Sequence, residues 1–140
     1  MDKTMTRTIG QEFANITGLN AVHMGLELEA TYKPTKKLSI NGMASAGDYR
    51  WDKNVIADIY DEDQNYVGTV SVYAKDVKRG NTALTTGYLG ASYWVLPDLK
   101  IGADMYHARD IYAEFDIETR TTPDSEGVDS WEMPDYTLLN

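Results

Sequence analysis

The chain has no cysteine, which excludes a disulfide framework, a thiolate metal site and a cysteine nucleophile. No stretch approaches the run of about 18 apolar residues that a transmembrane helix needs. Basic residues are scarce: 13 Lys and Arg stand against 22 Asp and Glu, a formal net charge of −9. Nucleic acid, which requires a Lys/Arg footprint, is therefore not an expected partner. No nucleophile elbow, phosphate-cradling glycine loop or dinucleotide fingerprint occurs. The expectation is accordingly no enzyme, with no catalytic residues, no metal and no cofactor. Residues 1–20 also lack the apolar core of a signal peptide. Phenylalanine is limited to two residues, whereas there are ten Tyr and three Trp. Those two types favour surfaces with one wet side.

What is present is a period of two. From Leu19 to Trp51, Val22, Met24, Leu26, Leu28, Ala30 and Tyr32 fall on one side, against His23, Gly25, Glu27, Glu29, Thr31 and Lys33. That alternation predicts a strand with one apolar and one polar face. A helix fits worse, because Glu27 and Glu29 flank Leu28 and break any apolar stripe. Pro34-Thr35-Lys36-Lys37 makes a tight polar turn, after which Leu38, Ile40, Gly42, Ala44 and Ala46 resume the alternation. The arms of this hairpin run to about 11 to 14 residues, whereas globular strands average about 5–6 and a tilted membrane-crossing strand needs about 9–11.

At 140 residues the chain has the length of one domain. Its first hairpin spans about residues 19–52. Residues 53–84 form a long excursion with a small hairpin of their own, Val55-Ala57-Ile59 and Val70-Val72 around a turn at Asp61–Asn65. A second long hairpin covers about residues 85–113, with Leu99, Ile101, Ala103 and Met105 against Lys100, Gly102, Asp104 and Tyr106 around the turn Leu96-Pro97-Asp98. A polar stretch, about 114–133, follows, and Met133 to Asn140 reads as the start of another strand. Thr4 to Phe13 reads as the end of one. Connections thus alternate short, long, short, long, as in outer-membrane barrels with short periplasmic turns and long extracellular loops. A soluble sandwich more often joins short strands at even spacing.

Candidate chemistry is sparse. Asp61-Glu62-Asp63-Gln64-Asn65 opens like a calcium loop, but Tyr66 and Val72 stand where the EF-hand template requires Gly and Glu; an acidic turn is expected. Glu27 and Glu29 share a strand face and are read as lining a wet lumen, paired with Lys or Arg of neighbouring strands, not as an acid/base pair. His23 and His107 lie on different hairpins without nearby ligand partners. Asn15-Ile16-Thr17 fits a glycosylation sequon but has no supporting context. Tyr49, Trp51, Tyr88, Tyr93, Trp94, Tyr106 and Tyr112 are read as an interfacial girdle toward strand ends. Tyr60, Tyr66 and Tyr73, in the long excursion, are the candidate ligand-binding residues.

The run HMGLELEATYKPTKKLSINGMASAGDYRW, with Gly25, Glu27 and Glu29 followed by Pro34 in the turn, resembles the late barrel strands of TonB-dependent outer-membrane receptors. SVYAKDVKRG, IYAEFDIETRT and DSWEMPDYTLLN are similar to the versions found in Bacteroidetes-type bacteria. The resemblance covers most of the chain. It implies an all-β, antiparallel up-and-down meander of about five or six strands, a segment of a transmembrane barrel that in this family closes with about 22 strands around a plug. No plug, TonB box or closing strand is recognisable, so residues 1–140 read as a wall segment with long extracellular loops. The implied function is energised uptake of a scarce nutrient (iron chelate, cobalamin or glycan) at the bacterial outer membrane. The implied partners are outer-membrane lipid, the remaining barrel and plug, the TonB complex through that plug, and a surface lipoprotein. The rival reading is a soluble secreted β-sandwich that binds carbohydrate through Tyr and Trp. The two differ on the apolar stripe: a barrel leaves it exposed without lipid, whereas a sandwich buries it against a second sheet.

Overall fold

The computed structural model describes residues 3–9 and 12–140, with side chains from Glu12 onward. Among these residues the chain is all-β, with two single-turn 3-10 segments and no α-helix. The strands are β1 (Lys3–Ile9), β2 (Glu12–Leu19), β3 (Ala21–Tyr32), β4 (Leu38–Trp51), β5 (Val55–Tyr60), β6 (Tyr66–Val72), β7 (Ala83–Leu96), β8 (Leu99–Tyr112), β9 (Glu132–Met133) and β10 (Tyr136–Leu139). One sheet has the order β1-β2-β5-β6; the other runs β10-β8-β7-β4-β3, with β9 also beside β8. The larger sheet is open and does not close on itself among the described residues. The chain divides into two compact units: residues up to His23 with Tyr49–Asn81 and Tyr112–Trp131, and Met24–Asp48 with Thr82–Ile111 and Glu132–Asn140.

The first unit holds the buried core. Ala14 and Ile16 of β2 stand opposite Ile59 and Ala57 of β5, and Ala57 and Val55 stand opposite Val70 and Val72 of β6. Residues directly opposite in an antiparallel pair share a face, so these side chains line one side of the sheet. Trp51, Ala74, Val77, Phe115 and Ile117 pack onto it. The 3-10 segments lie in the polar stretch after Tyr112, which is anchored by Phe115 and Ile117, both at most 1% exposed. It is tied further by Arg120, whose guanidinium donates to the carbonyls of Ser125 (2.8 Å) and Val128 and to Ser130 Oγ (3.2 Å). Burial pushes the Arg120 pKa down, with Asp129 acting in the opposite sense.

The strand count differs from the five or six expected. The described residues contain ten strands, and β1 pairs antiparallel with β2 where the sequence suggests only a strand end; residues 10–11 lie outside the described residues. The cue was inverted in β2, where Phe13 is 42% exposed and the small Ala14 points into the core. The excursion after Trp51 is not a free loop, because β5 and β6 complete this sheet.

Gly80 is buried beside the segment that follows β8. A Cβ there would lie 2.6 Å from the Ala113 carbonyl carbon and closer still to the Glu114 backbone nitrogen. Backbone cannot rotate aside as a side chain can. Gly80→Ala is expected to destabilise by about 3 kcal/mol, read from the urea midpoint; a loss below about 1 kcal/mol would mean that the two segments separate freely.

Candidate functional site

The second unit carries its apolar residues outward, and the register shows that they form one surface. Leu38, Ile40, Gly42 and Ala44 of β4 stand opposite Tyr93, Ala91, Leu89 and Gly87 of β7. Those β7 residues stand in turn opposite Ile101, Ala103, Met105 and His107 of β8. Met105 is opposite Leu139 of β10. On β3 the bond between Thr31 Oγ1 and Asn41 Oδ1 (3.0 Å) puts the odd-numbered residues on the other face, so Leu26, Leu28 and Ala30 join the apolar one. Five strands thus contribute to a single apolar face. Leu26 is 77% exposed, Leu28 69%, Ile101 55%, Leu89 54% and Leu139 76%. Along β4 the band runs nine residues, Leu38 to Ala46, or roughly 30 Å at the usual rise per residue. At a tilt of about 40° that matches the apolar belt of about 25 Å that outer-membrane barrels present to lipid. A monomer in water rarely leaves a patch of this extent uncovered.

The reverse face is polar. Thr31 meets Asn41 at 3.0 Å, Ser45 meets Thr86 at 2.7 Å, and Asn140 Nδ2 donates to Asp104 Oδ1 at 3.1 Å. Glu27 and Glu29 lie on this face, but among the described residues neither forms the salt bridge expected of it. Their β4 neighbours on that side are Asn41, Met43 and Ser45, none of them basic.

The girdle reading is corrected at Trp51, Tyr112, Tyr88 and Tyr106. Trp51 and Tyr112 are buried, at 2% and 7% exposure. Tyr49 stacks on His23, with ring centroids 4.8 Å apart. Tyr88 and Tyr106 stand opposite each other in mid-strand on the polar face. Only Tyr93 and Trp94 lie exposed at strand ends, near the short turns, where Lys100 Nζ sits 5.8 Å from the Trp94 ring centroid. Alternation predicts a residue's side of a strand but not its height, and height decides membership of a girdle.

Of the candidate ligand residues, the structure brings together two and separates the third. Phe13 stands opposite Tyr60, and Tyr60 opposite Tyr66, with the Tyr60 and Tyr66 rings edge to face at 5.9 Å. Phe13, which sequence reasoning missed, completes an aromatic row on the outward face of the smaller sheet. Phe13, Asn15, Tyr60 and Gln64 line a cleft of about 370 Å³. Asn15 Oδ1, within the discounted sequon, is buried and finds no hydrogen-bond partner among the described residues. Tyr73 follows the far end of β6, seven residues from Tyr66, where its N–H donates to the Arg120 carbonyl.

The acidic turn is a turn. Asp61 Oδ1 accepts from the Asn65 backbone N–H at 2.8 Å, and the Asn65 amide group donates to both carboxylate oxygens. These bonds, the backbone one foremost, hold the exposed Asp61 carboxyl below 3.8. Because the folded value is the lower one, their stabilisation is present above pH 3.8 and is lost as pH falls through the folded pKa. A carboxyl-carbon NMR titration should give a midpoint below 3.8, moving up in Asn65→Ala; a midpoint at or above 3.8 in the parent chain contradicts the assignment.

No group of three or more potential ligands suited to a metal occurs among the described residues. His23 Nε2 lies 3.2 Å from Arg79, and His107 Nδ1 lies 2.9 Å from Thr137 Oγ1. No family model, curated protein or solved structure matches the chain.

Proposed function

We propose that this chain is a wall segment of a TonB-dependent-type receptor of the bacterial outer membrane, serving energised uptake of a scarce nutrient. The observation that carries the reading is the continuous apolar face of β3, β4, β7, β8 and β10, backed by a polar face with Glu27, Glu29, Asn41 and Asp104. Such two-sidedness suits a strand set with lipid on one side and a wet lumen on the other. The short connections join β3 to β4 and β7 to β8, and the long ones follow β4 and β8, which fits periplasmic turns and extracellular loops. In this reading the open edges of the larger sheet pair with further strands of the same barrel, since unpaired backbone in lipid costs several kcal/mol per group. The Phe13–Tyr60–Tyr66 row offers ring faces to a sugar or a chelate. The carbohydrate-binding sandwich draws support from that row alone, and it requires burial of side chains such as Leu26 and Leu28 that are exposed.

The test is the coding sequence on either side. A preceding plug-like region and further long alternating strands are expected; stop codons flanking this segment would contradict the receptor reading.

A further inference from the structure

We infer that the outward face of the smaller sheet is a binding site for a neutral carbohydrate, with a pyranose ring stacked on Tyr60 and Tyr66 and its hydroxyls bonded to Asn15 and Asp58. The inference rests on the ligand-binding reading of the Phe13–Tyr60–Tyr66 row and deepens it, because it chooses the sugar over the chelate.

The face carries two adjoining rows. Phe13, Tyr60 and Tyr66 make the first; in the second, Asn15 stands opposite Asp58 and Asp58 opposite Thr69. Successive residues on one face of a strand are roughly 7 Å apart, so a ring lying on the aromatic row brings its hydroxyls over the polar one. The aromatic row depends on a local irregularity. Asp58 pairs with Thr69 and Ile59 with Gly68, which by plain alternation would set Val67 opposite Tyr60; a bulge between Ile59 and Tyr60 sets Tyr66 there instead. The acidic turn beyond holds Gln64 at the rim, its N–H donating to the Asp61 carbonyl at 3.0 Å and its backbone at a φ of 63°. Tyr66 is 61% exposed, so its ring is open to a ligand. Asn15 lines the cleft, and its Oδ1 has no partner among the described residues. The terminal amide torsion is soft, so turning that oxygen toward a ligand hydroxyl gives up no hydrogen bond. Charge decides the class. β2, β5, β6 and the turn between β5 and β6 contain no Lys or Arg but carry Glu12, Asp58, Asp61, Glu62 and Asp63. Lys53 Nζ lies beside Gly18, toward the other end of β2, and Arg7 of β1 is in register with Ala14, which belongs to neither row. An anionic chelate would meet like charge here. A neutral sugar instead sets its C–H face on the electron-rich ring faces and finds carboxylate, amide and hydroxyl groups for its own hydroxyls.

The test is isothermal titration of the full chain, folded in a detergent without sugar headgroups. The probes are neutral oligosaccharides of α-linked glucose, β-linked glucose, xylose and mannose, with ferric citrate and choline as anionic and cationic comparisons. At least one sugar should bind with a millimolar or lower Kd, and neither ion should displace it. Tyr66→Ala should weaken that sugar about tenfold with an unchanged urea midpoint, and Asn15→Ala should weaken it to a similar degree. Tyr60→Phe, which keeps the ring, should bind within about threefold of the parent chain. No binding by any of these sugars, binding that Tyr66→Ala leaves unchanged, or tighter binding of ferric citrate or choline overturns the carbohydrate site. The wall reading is followed separately, by a nitroxide label at Leu28→Cys in vesicles. A label shielded by lipid in a chain that binds no sugar keeps the wall and removes the site; a label open to water in a chain that binds sugar does the reverse.

Discussion

Trp51→Ala is expected to remove about 3–5 kcal/mol from the stability of the first unit. Trp51 is 2% exposed and lies at the centre of that unit's buried core. Its ring meets Phe115 edge to face, with centroids 6.0 Å apart and planes at 86°, a geometry worth about 0.5–1.5 kcal/mol beyond area burial. Its backbone is fixed on both sides, accepting from Asp76 N–H at 2.9 Å and donating to the Val77 carbonyl at 3.0 Å. With its backbone held in this way, the site cannot shift to close the cavity that Ala leaves, and the loss should fall in the upper part of the range. Trp51→Phe is expected to lose much less, because the indole N–H finds no partner among the described residues and nothing hydrogen-bonded is given up. Urea unfolding followed by circular dichroism measures both. A loss below about 1 kcal/mol for Trp51→Ala would mean that the core does not depend on its largest side chain.

Leu89→Arg is expected to behave in the opposite manner, with an effect that depends on the solvent. Leu89 is 54% exposed and stands in the middle of the apolar face, between Gly42 of β4 and Met105 of β8. In water an exposed substitution of this kind changes stability by no more than about 0.5 kcal/mol. In a bilayer, arginine near the midplane of a lipid-facing strand costs about 2–4 kcal/mol. Glu29→Arg, on the reverse face, should change little in either medium. Denaturant titrations of the chain in vesicles and in mild detergent compare the two. Equal effects at both positions in vesicles would remove the distinction between the faces.

The larger sheet was legible because its strands are long and its alternation nearly faultless. A period of two sustained from Val22 to Lys33 and from Leu99 to Tyr106 leaves no competing helical reading. The smaller sheet was less legible for reasons that lie in particular residues. β2 turns its bulky Phe13 outward and its small Ala14 inward, so the hydrophobic cue pointed the wrong way. Phe115 and Ile117 sit in a stretch otherwise polar, and their burial depends on a core supplied by strands distant in sequence. The same holds for the aromatic row. Phe13 and Tyr60 are 47 positions apart and meet only through the β2–β5 register, which no local pattern encodes. Tyr73 shares its segment with Tyr66 yet lies at the other end of a strand, roughly 23 Å away at the usual rise per residue. Proximity in sequence overstated that grouping.

Because the chain has no native cysteine, single labels can be placed without background, and the two faces of the larger sheet can be read one position at a time. The most direct measurement is the accessibility of nitroxide labels in vesicles, using Leu28→Cys, Leu89→Cys and Ile101→Cys for the apolar face and Glu29→Cys and Asp104→Cys for the polar one. The account predicts that labels on the first set collide freely with oxygen, which concentrates in lipid, and are shielded from a water-soluble nickel chelate. Labels on the second set should show the reverse. Nickel access at Leu28, Leu89 and Ile101 equal to that at Glu29 and Asp104 would contradict a lipid-facing wall, and protection of the first set from both reagents would mean that another protein surface covers it.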